Sequence, residues 1–211
     1  MKGINLHGVS SFIHAVTRSP KLLVPHLSVK DLNDIPFAQL HAMGFKGIVF
    51  DKDNTLTVPH AYEIVPHIQD ALRNSQRIFG MDRVVVFSNS AGSSDDLPNF
   101  DGATRVESEL KVNVLRHGVK KPRGIDEMQQ ALQVRPDELI MIGDRYSTDV
   151  LFGNSNGMLT IRTEQLSVAH ESSLNALMQA IESAILQRLR SRGIEAPVHP
   201  RFDPSVISTS Q

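Results

Sequence analysis

The chain predicts an α/β fold of three layers, a central parallel sheet between two layers of helices. Three observations carry this. Short continuous apolar runs occur at Gly47-Ile48-Val49-Phe50, Arg83-Val84-Val85-Val86-Phe87 and Glu138-Leu139-Ile140-Met141-Ile142. They have strand length and no polar alternation, as strands covered on both faces do. Helical-period segments alternate with them, which suits right-handed crossovers. Each run also gives way at once to polar residues, at the strand ends where open parallel sheets bind ligands.

The elements follow in order. Residues 4–18 put Ile4, Val9, Phe12, Ile13 and Val16 on one side of a helix, with Leu6 at its margin. His7, Ser10, Ser11, His14 and Arg18 fall on the other side, and Asn5 is a misfit in the apolar face. Pro20 ends this helix. Leu22 to Pro25 reads as an extended connector, and residues 36–43 as a short helix closed by Gly44. A strand over 46–50 and a helix over 65–79, ended by Gly80, come next. A strand over 83–87 follows, and Ser88 to Asp101 is turn-rich. Helices near 104–110 and 124–133 flank a short strand near 111–115. The chain continues with a strand over 138–142, a helix over 147–154, a strand over 158–162 and a long helix over 171–190. Pro197, Pro200 and Pro204 mark a loosely attached tail.

The bulk composition excludes several classes. The chain has 211 residues, 40% hydrophobic, with a formal net charge of −1. That is enough for one sizeable domain, and no overall field favours nucleic acid. Cysteine is absent, so disulfides, thiolate nucleophiles and Cys-based zinc sites are excluded. No apolar run is long enough to span a bilayer. The charge is uneven, however. The first acidic residue is Asp31, and Lys2, Arg18, Lys21 and Lys30 precede it. The expected organisation is a basic amphipathic segment over 1–30, an α/β domain over 31–190 and a flexible tail over 191–211.

The strand ends hold a recognisable chemistry. After the first apolar strand come Asp51 and Asp53, two residues apart, suited to a nucleophile and a proton-transfer partner. After the second come Ser88 and Asn89, a hydroxyl with nearby backbone N–H groups. Lys120 and Lys121 precede the next helix, and Asp144 and Asp149 follow the fourth strand. A carboxylate attacks phosphorus only if the phosphate charge is neutralised. A hard cation on Asp51, Asp144 and a backbone carbonyl would help, and Mg²⁺ suits such an all-oxygen shell. Each residue also has a plain structural reading: Asp51 and Asp53 as turn residues, Lys120 as a solvated lysine, Asp149 as a helix cap or a partner of Arg145.

The order of these motifs resembles the haloacid dehalogenase (HAD) superfamily over roughly residues 46–162. The strings DKDNTL, VFSNSAGS, VLRHGVKKP and GDRYSTDV, with LLVPHLSVKDL before them, resemble the capless HAD phosphatases acting on phosphatidylglycerophosphate. The resemblance implies a three-layer Rossmann-like HAD fold with little or no cap. It implies Asp51 as nucleophile, Asp53 as acid and base, and Ser88 and Lys121 as phosphate-stabilising catalytic residues. Lys120 is a rival for the lysine. Thr55, Asn89, Lys120, Arg116 and His117 become candidate substrate contacts, and Asp51, Asp53, Asp144 and Asp149 candidate ligands of Mg²⁺. It further implies a phospholipid substrate and peripheral attachment to the matrix side of the mitochondrial inner membrane, or to the cytoplasmic membrane face in a bacterium. Ser90 and Tyr146 depart from the familiar pattern.

Two features agree with a bulky substrate apart from the resemblance. The segments from Thr55 to residue 65 and from Ser88 to Lys121 are too short for a large cap. The basic N-terminus could lie among lipid headgroups with Phe12, Ile13 and Val16 in the acyl boundary. It could equally pack on the protein's own core, or be a cleavable targeting segment. A soluble phosphatase acting on small esters or phosphoproteins, and a membrane-bound scaffold with a phosphatase fold, are the competing functions.

Overall fold

The computed structural model describes residues 6–167 and 173–207. The expected starts of the first helix (residues 4–5) and of the last (171–172) lie outside the described residues, as does the end of the tail. Six strands form one sheet: β1 (Leu27–Val29), β2 (Gly47–Phe50), β3 (Val84–Val86), β4 (Asn113–Val114), β5 (Leu139–Gly143) and β6 (Leu159–Thr163). Their order is β1-β6-β5-β2-β3-β4, and every pairing is parallel. The helices are α1 (Leu6–Arg18), α2 (Phe37–Ala42), α3 (Gln69–Phe79), α4 (Asp101–Leu110), α5 (Ile125–Leu132), α6 (Leu151–Ser155) and α7 (Ser173–Ser191). A single π turn over Tyr146–Val150 leads into α6.

The apolar runs become central strands because both faces are covered. Ile48 and Phe50 of β2 join Val84, Val86, Ile140 and Ile142 against Leu40, Leu72, Phe79 and Val106. Val49, Val85, Leu139 and Met141 point the other way, against Met128, Leu132 and Phe152. Strand side chains alternate between faces, so one run feeds both layers. Phe50 is fully buried, and trimming such a side chain to Ala costs roughly 3–5 kcal/mol.

Three expectations change. β1 is an edge strand that pairs Leu27–Val29 with Ile161–Thr163. Its three residues are too short and too exposed to stand out from the connector. Phe12 and Ala15 of α1 are buried with Leu23, Val24, Val150, Leu151, Leu186 and Leu189, and Val16 packs beside them. Phe12 and Val16 are thus used inside the protein rather than offered to lipid, and Ile13 remains 57% exposed. The tail is docked as far as it is described. His199 is buried and stacks on Phe45, while Arg201 pairs with Asp137 and Glu138.

Candidate active site

Strand order makes the site. β2 lies between β3 and β5, so the loops leaving these three strands meet above their carboxyl ends. The ladder runs one residue past β2, where the Asp51 N–H donates to Ile142 O at 2.8 Å. That fixes Asp51 at the floor. The chain then turns tightly, with Leu56 and Thr57 N–H both bonded to Lys52 O. Asn54 occupies the left-handed region at φ 64°, which Asn tolerates better than most residues. Asp51, Asp53, Asn89, Ser90, Lys120, Asp144, Arg145, Thr148 and Asp149 line a cavity of about 230 Å³.

Lys121 reaches the floor from the loop after β4. Its Nζ lies 2.7 Å from Asp51 Oδ1 and also contacts Asp149 Oδ1, and the side chain is 1% exposed. Its pKa is raised: burial opposes the charge, but Asp149 and Asp51 outweigh it. Lys120 instead turns to the rim and pairs with Asp95. Asn89 Oδ1 accepts from Lys121 N–H at 2.9 Å, tying the two loops together.

Asp51, Asp144 and Asp149 each place an oxygen within 4.8 Å of the others, and all three are buried. Burial pushes the Asp51 carboxyl up to about 6, with Asp149 and Asp53 adding to it and Lys121 opposing. Burial, then Asp149 and Asp51, hold Asp144 well above the usual carboxylate range, although Gln165 donates to it at 3.1 Å. One ammonium faces three carboxylates. The excess negative charge and the all-oxygen donor set fit a hard divalent cation. Asp149 sits this close only because residue 143 is glycine, where a Cβ would come 2.4 Å from Asp149 Cγ.

The Asp53 carboxylate is not among that trio. Lys52 Nζ and His60 N–H bond its Oδ1 at 2.5 and 2.9 Å, and Ser90 Oγ donates to its Oδ2. Burial pushes this carboxyl up, but Lys52, Ser90 and the His60 N–H outweigh it and leave it below its ordinary value. Ser88 is buried, with its hydroxyl 3.0 Å from Ser90 Oγ.

Three expected substrate contacts lie elsewhere. Thr55 is fully buried behind the turn and does not line the cavity. Arg116 forks onto Glu107 and bonds Val114 O, so its guanidinium is spent on α4. His117 is buried, with its ring against Phe87 and its nitrogens on Ser88 O and Val119 O. It supports the Ser88 loop from below. Arg145 does not pair its side chain with Asp149. Its Nη2 meets Glu182 at 3.0 Å, while its backbone N–H bonds Asp149 Oδ2.

Sequence reasoning did not single out Lys52 or Glu182, and it noted Ser90 only as a departure from the family pattern. Lys52 is 2% exposed and holds Asp53 Oδ1. Glu182, from α7, accepts from Arg145, Tyr146 N, Ser147 N and Ser147 Oγ. It thereby clamps the π turn between Asp144 and α6. The only trace in sequence is an acidic residue on the apolar side of a long helix.

This sheet, with a paired Asp51 and Lys121 at its centre and Asp144 and Asp149 beside them, defines the chain as a HAD-type α/β protein. Residues 6–167 match the profile of the family described as mitochondrial PGP phosphatase, and the chain belongs to that family. It is 41% identical over 93% of its length to phosphatidylglycerophosphate phosphatase 1, chloroplastic/mitochondrial, of Arabidopsis thaliana, and spans 56% of that protein. It is 39% identical over 94% of its length to phosphatidylglycerophosphate phosphatase 1, chloroplastic, of Chlamydomonas reinhardtii, spanning 74% of it. With a mitochondrial phosphatidylglycerophosphatase of Saccharomyces cerevisiae it shares 31% identity over 66% of this chain and 76% of that one.

Proposed function

We propose that this chain hydrolyses phosphatidylglycerophosphate to phosphatidylglycerol and phosphate through a phosphoryl group carried on Asp51. The observation that carries the reading is the buried Lys121, which bridges Asp51 and Asp149 at the cavity floor. A carboxylate held against an ammonium at a strand end is oriented for attack on a bound phosphate. Asp51 Oδ would bond to phosphorus as the bond to the glycerol oxygen breaks, and that oxygen would take its proton from Asp53. Water would then attack the phosphoryl group, give a proton to Asp53, release phosphate and free Asp51. Lys121 and the Ser88 loop would stabilise charge on the phosphoryl oxygens. Asp51, Asp144 and Asp149 would hold Mg²⁺, which when bound supplies further positive charge there.

The names of the relatives support the lipid substrate and a place in mitochondria. We place the chain at the matrix face of the inner membrane. Membrane contact falls to the outward side of α1, where Ile13 is exposed beside His14, Thr17 and Arg18. Among the described residues no helix is long and apolar enough to cross a bilayer. Phosphate release from vesicles of phosphatidylglycerophosphate, compared with phosphatidic acid and soluble esters, tests this reading. The expected result is a strong preference for the first. Equal rates on small soluble esters would favour a soluble phosphatase.

A further inference from the structure

We propose that Ser90 is a positioning residue for Asp53, fixing Oδ2 as the oxygen that carries the transferred proton. The inference rests on the phosphatase reading above. Asp53 Oδ1 accepts from the Lys52 ammonium at 2.5 Å and the His60 N–H at 2.9 Å. A carboxylate oxygen offers two acceptor sites, so Oδ1 is filled. Neither an ammonium nor an amide N–H can accept a hydrogen bond. A proton on Oδ1 would therefore displace a donor. Lys52 is itself held by Thr57 Oγ1 and Ala61 O, at 3.3 and 2.9 Å, so it does not readily yield.

Oδ2 is different. Its bonded neighbour among the described residues is the Ser90 hydroxyl, which leaves the second site of Oδ2 for a proton. Asp53 and Ser90 both line the cavity that holds Asp51. A hydroxyl also both donates and accepts. Ser90 can donate to the carboxylate, or turn and accept from the acid. Its other neighbour, Ser88 Oγ, lies 3.0 Å away and can reverse in the same way. The Ser90 N–H, bonded to Ser88 Oγ at 3.1 Å, holds that pair in place. Without the Ser90 hydroxyl, Asp53 is gripped on one oxygen alone and its free oxygen can swing from the line of the leaving group.

In the first half-reaction the proton on Oδ2 passes to the leaving oxygen as the P–O bond breaks, and that oxygen keeps the bonding pair. This matters for an alkyl ester, whose alkoxide is a poor leaving group. It matters little for a nitrophenyl ester, whose phenolate leaves without a proton. The test compares kcat/KM for phosphatidylglycerophosphate in vesicles, itself an alkyl ester, and for p-nitrophenyl phosphate, because kcat/KM stops at phosphoryl transfer to Asp51 and is blind to slow release. Ser90→Ala is expected to lower kcat/KM on the alkyl ester by about 100-fold, the scale of general-acid catalysis. It should lower kcat/KM on the nitrophenyl ester far less, and an unchanged circular dichroism spectrum and melting curve show that the variant is folded. Ser90→Thr, which keeps the hydroxyl, should restore most of the loss. Equal losses on the two esters, no loss on either, or a Thr variant no better than Ala overturns the role of Ser90. A wild-type protein inactive on both esters overturns the phosphatase reading, and this inference with it.

Discussion

The Lys121 ammonium sits 2.7 Å from the Asp51 carboxylate, and almost none of the lysine is exposed. A buried charge needs a partner, and removing one member of such a pair leaves the other stranded at a cost of about 3–5 kcal/mol. Here the stranded groups would be Asp51 and Asp149 together.

Lys121→Ala is therefore expected to abolish measurable phosphate release and to lower the thermal midpoint. Lys120→Ala removes only a partly exposed pair with Asp95. Such pairs contribute about 0–1 kcal/mol, so its melting curve should hardly move. Thermal melts and phosphate release on the two variants check this, and similar losses at both positions would contradict it.

The raised pKa of Asp51 has a consequence for stability. Its folded value of about 6 lies above the ordinary value of 3.8, so between those pH values the folded state holds more protons than the unfolded one. Stability of the metal-free protein then falls as pH rises from about 4 to about 6, and the penalty stays in full above that. Asp51→Asn removes it without stranding Lys121, which keeps Asp149 as its partner. At pH 7, in EDTA, this variant is expected to be more stable than wild type by about 1–3 kcal/mol, with the advantage shrinking towards pH 4. Urea unfolding at several pH values reads this directly.

A divalent cation bound by the carboxylate trio should offset the same repulsion. Mg²⁺ is expected to raise the melting temperature of the wild type, since saturation at a hundred times Kd contributes about 2.7 kcal/mol. Asp144→Asn should remove most of the shift. An equal shift in that variant would place the cation elsewhere.

Much of this was legible in the sequence, and the misses have physical causes. β2, β3 and β5 could be read because full burial requires unbroken apolar runs, and Asp51, Asp144 and Lys121 because they leave such strands or precede Pro122. β1 was hidden because an edge strand of three residues needs little apolar character. Arg116 and His117 were misplaced because sequence shows that they flank the lysine but not that Glu107 and Ser88 O capture them. The Glu182 clamp depends on a contact across 35 residues of chain or more, beyond the reach of any local pattern.

That clamp yields another expectation. Glu182 accepts three donors from the π turn and a fourth from Arg145, and is 2% exposed. Glu182→Ala should cost about 3–5 kcal/mol by stranding Arg145. Because the turn carries Asp149, the variant should also bind Mg²⁺ some 10–100-fold more weakly, as loss of supporting hydrogen bonds does at metal sites. Calorimetric titration would show it, and an unchanged affinity would mean that α7 does not hold the site.

The most direct test is to quench the enzyme with acid during turnover of phosphatidylglycerophosphate and look for a phosphoryl group on the peptide containing Asp51. One phosphoryl group is expected at Asp51 in the wild type, and neither that group nor phosphate release in Asp51→Asn. Sustained phosphate release by Asp51→Asn, or a phosphoryl group on any other residue, would contradict it.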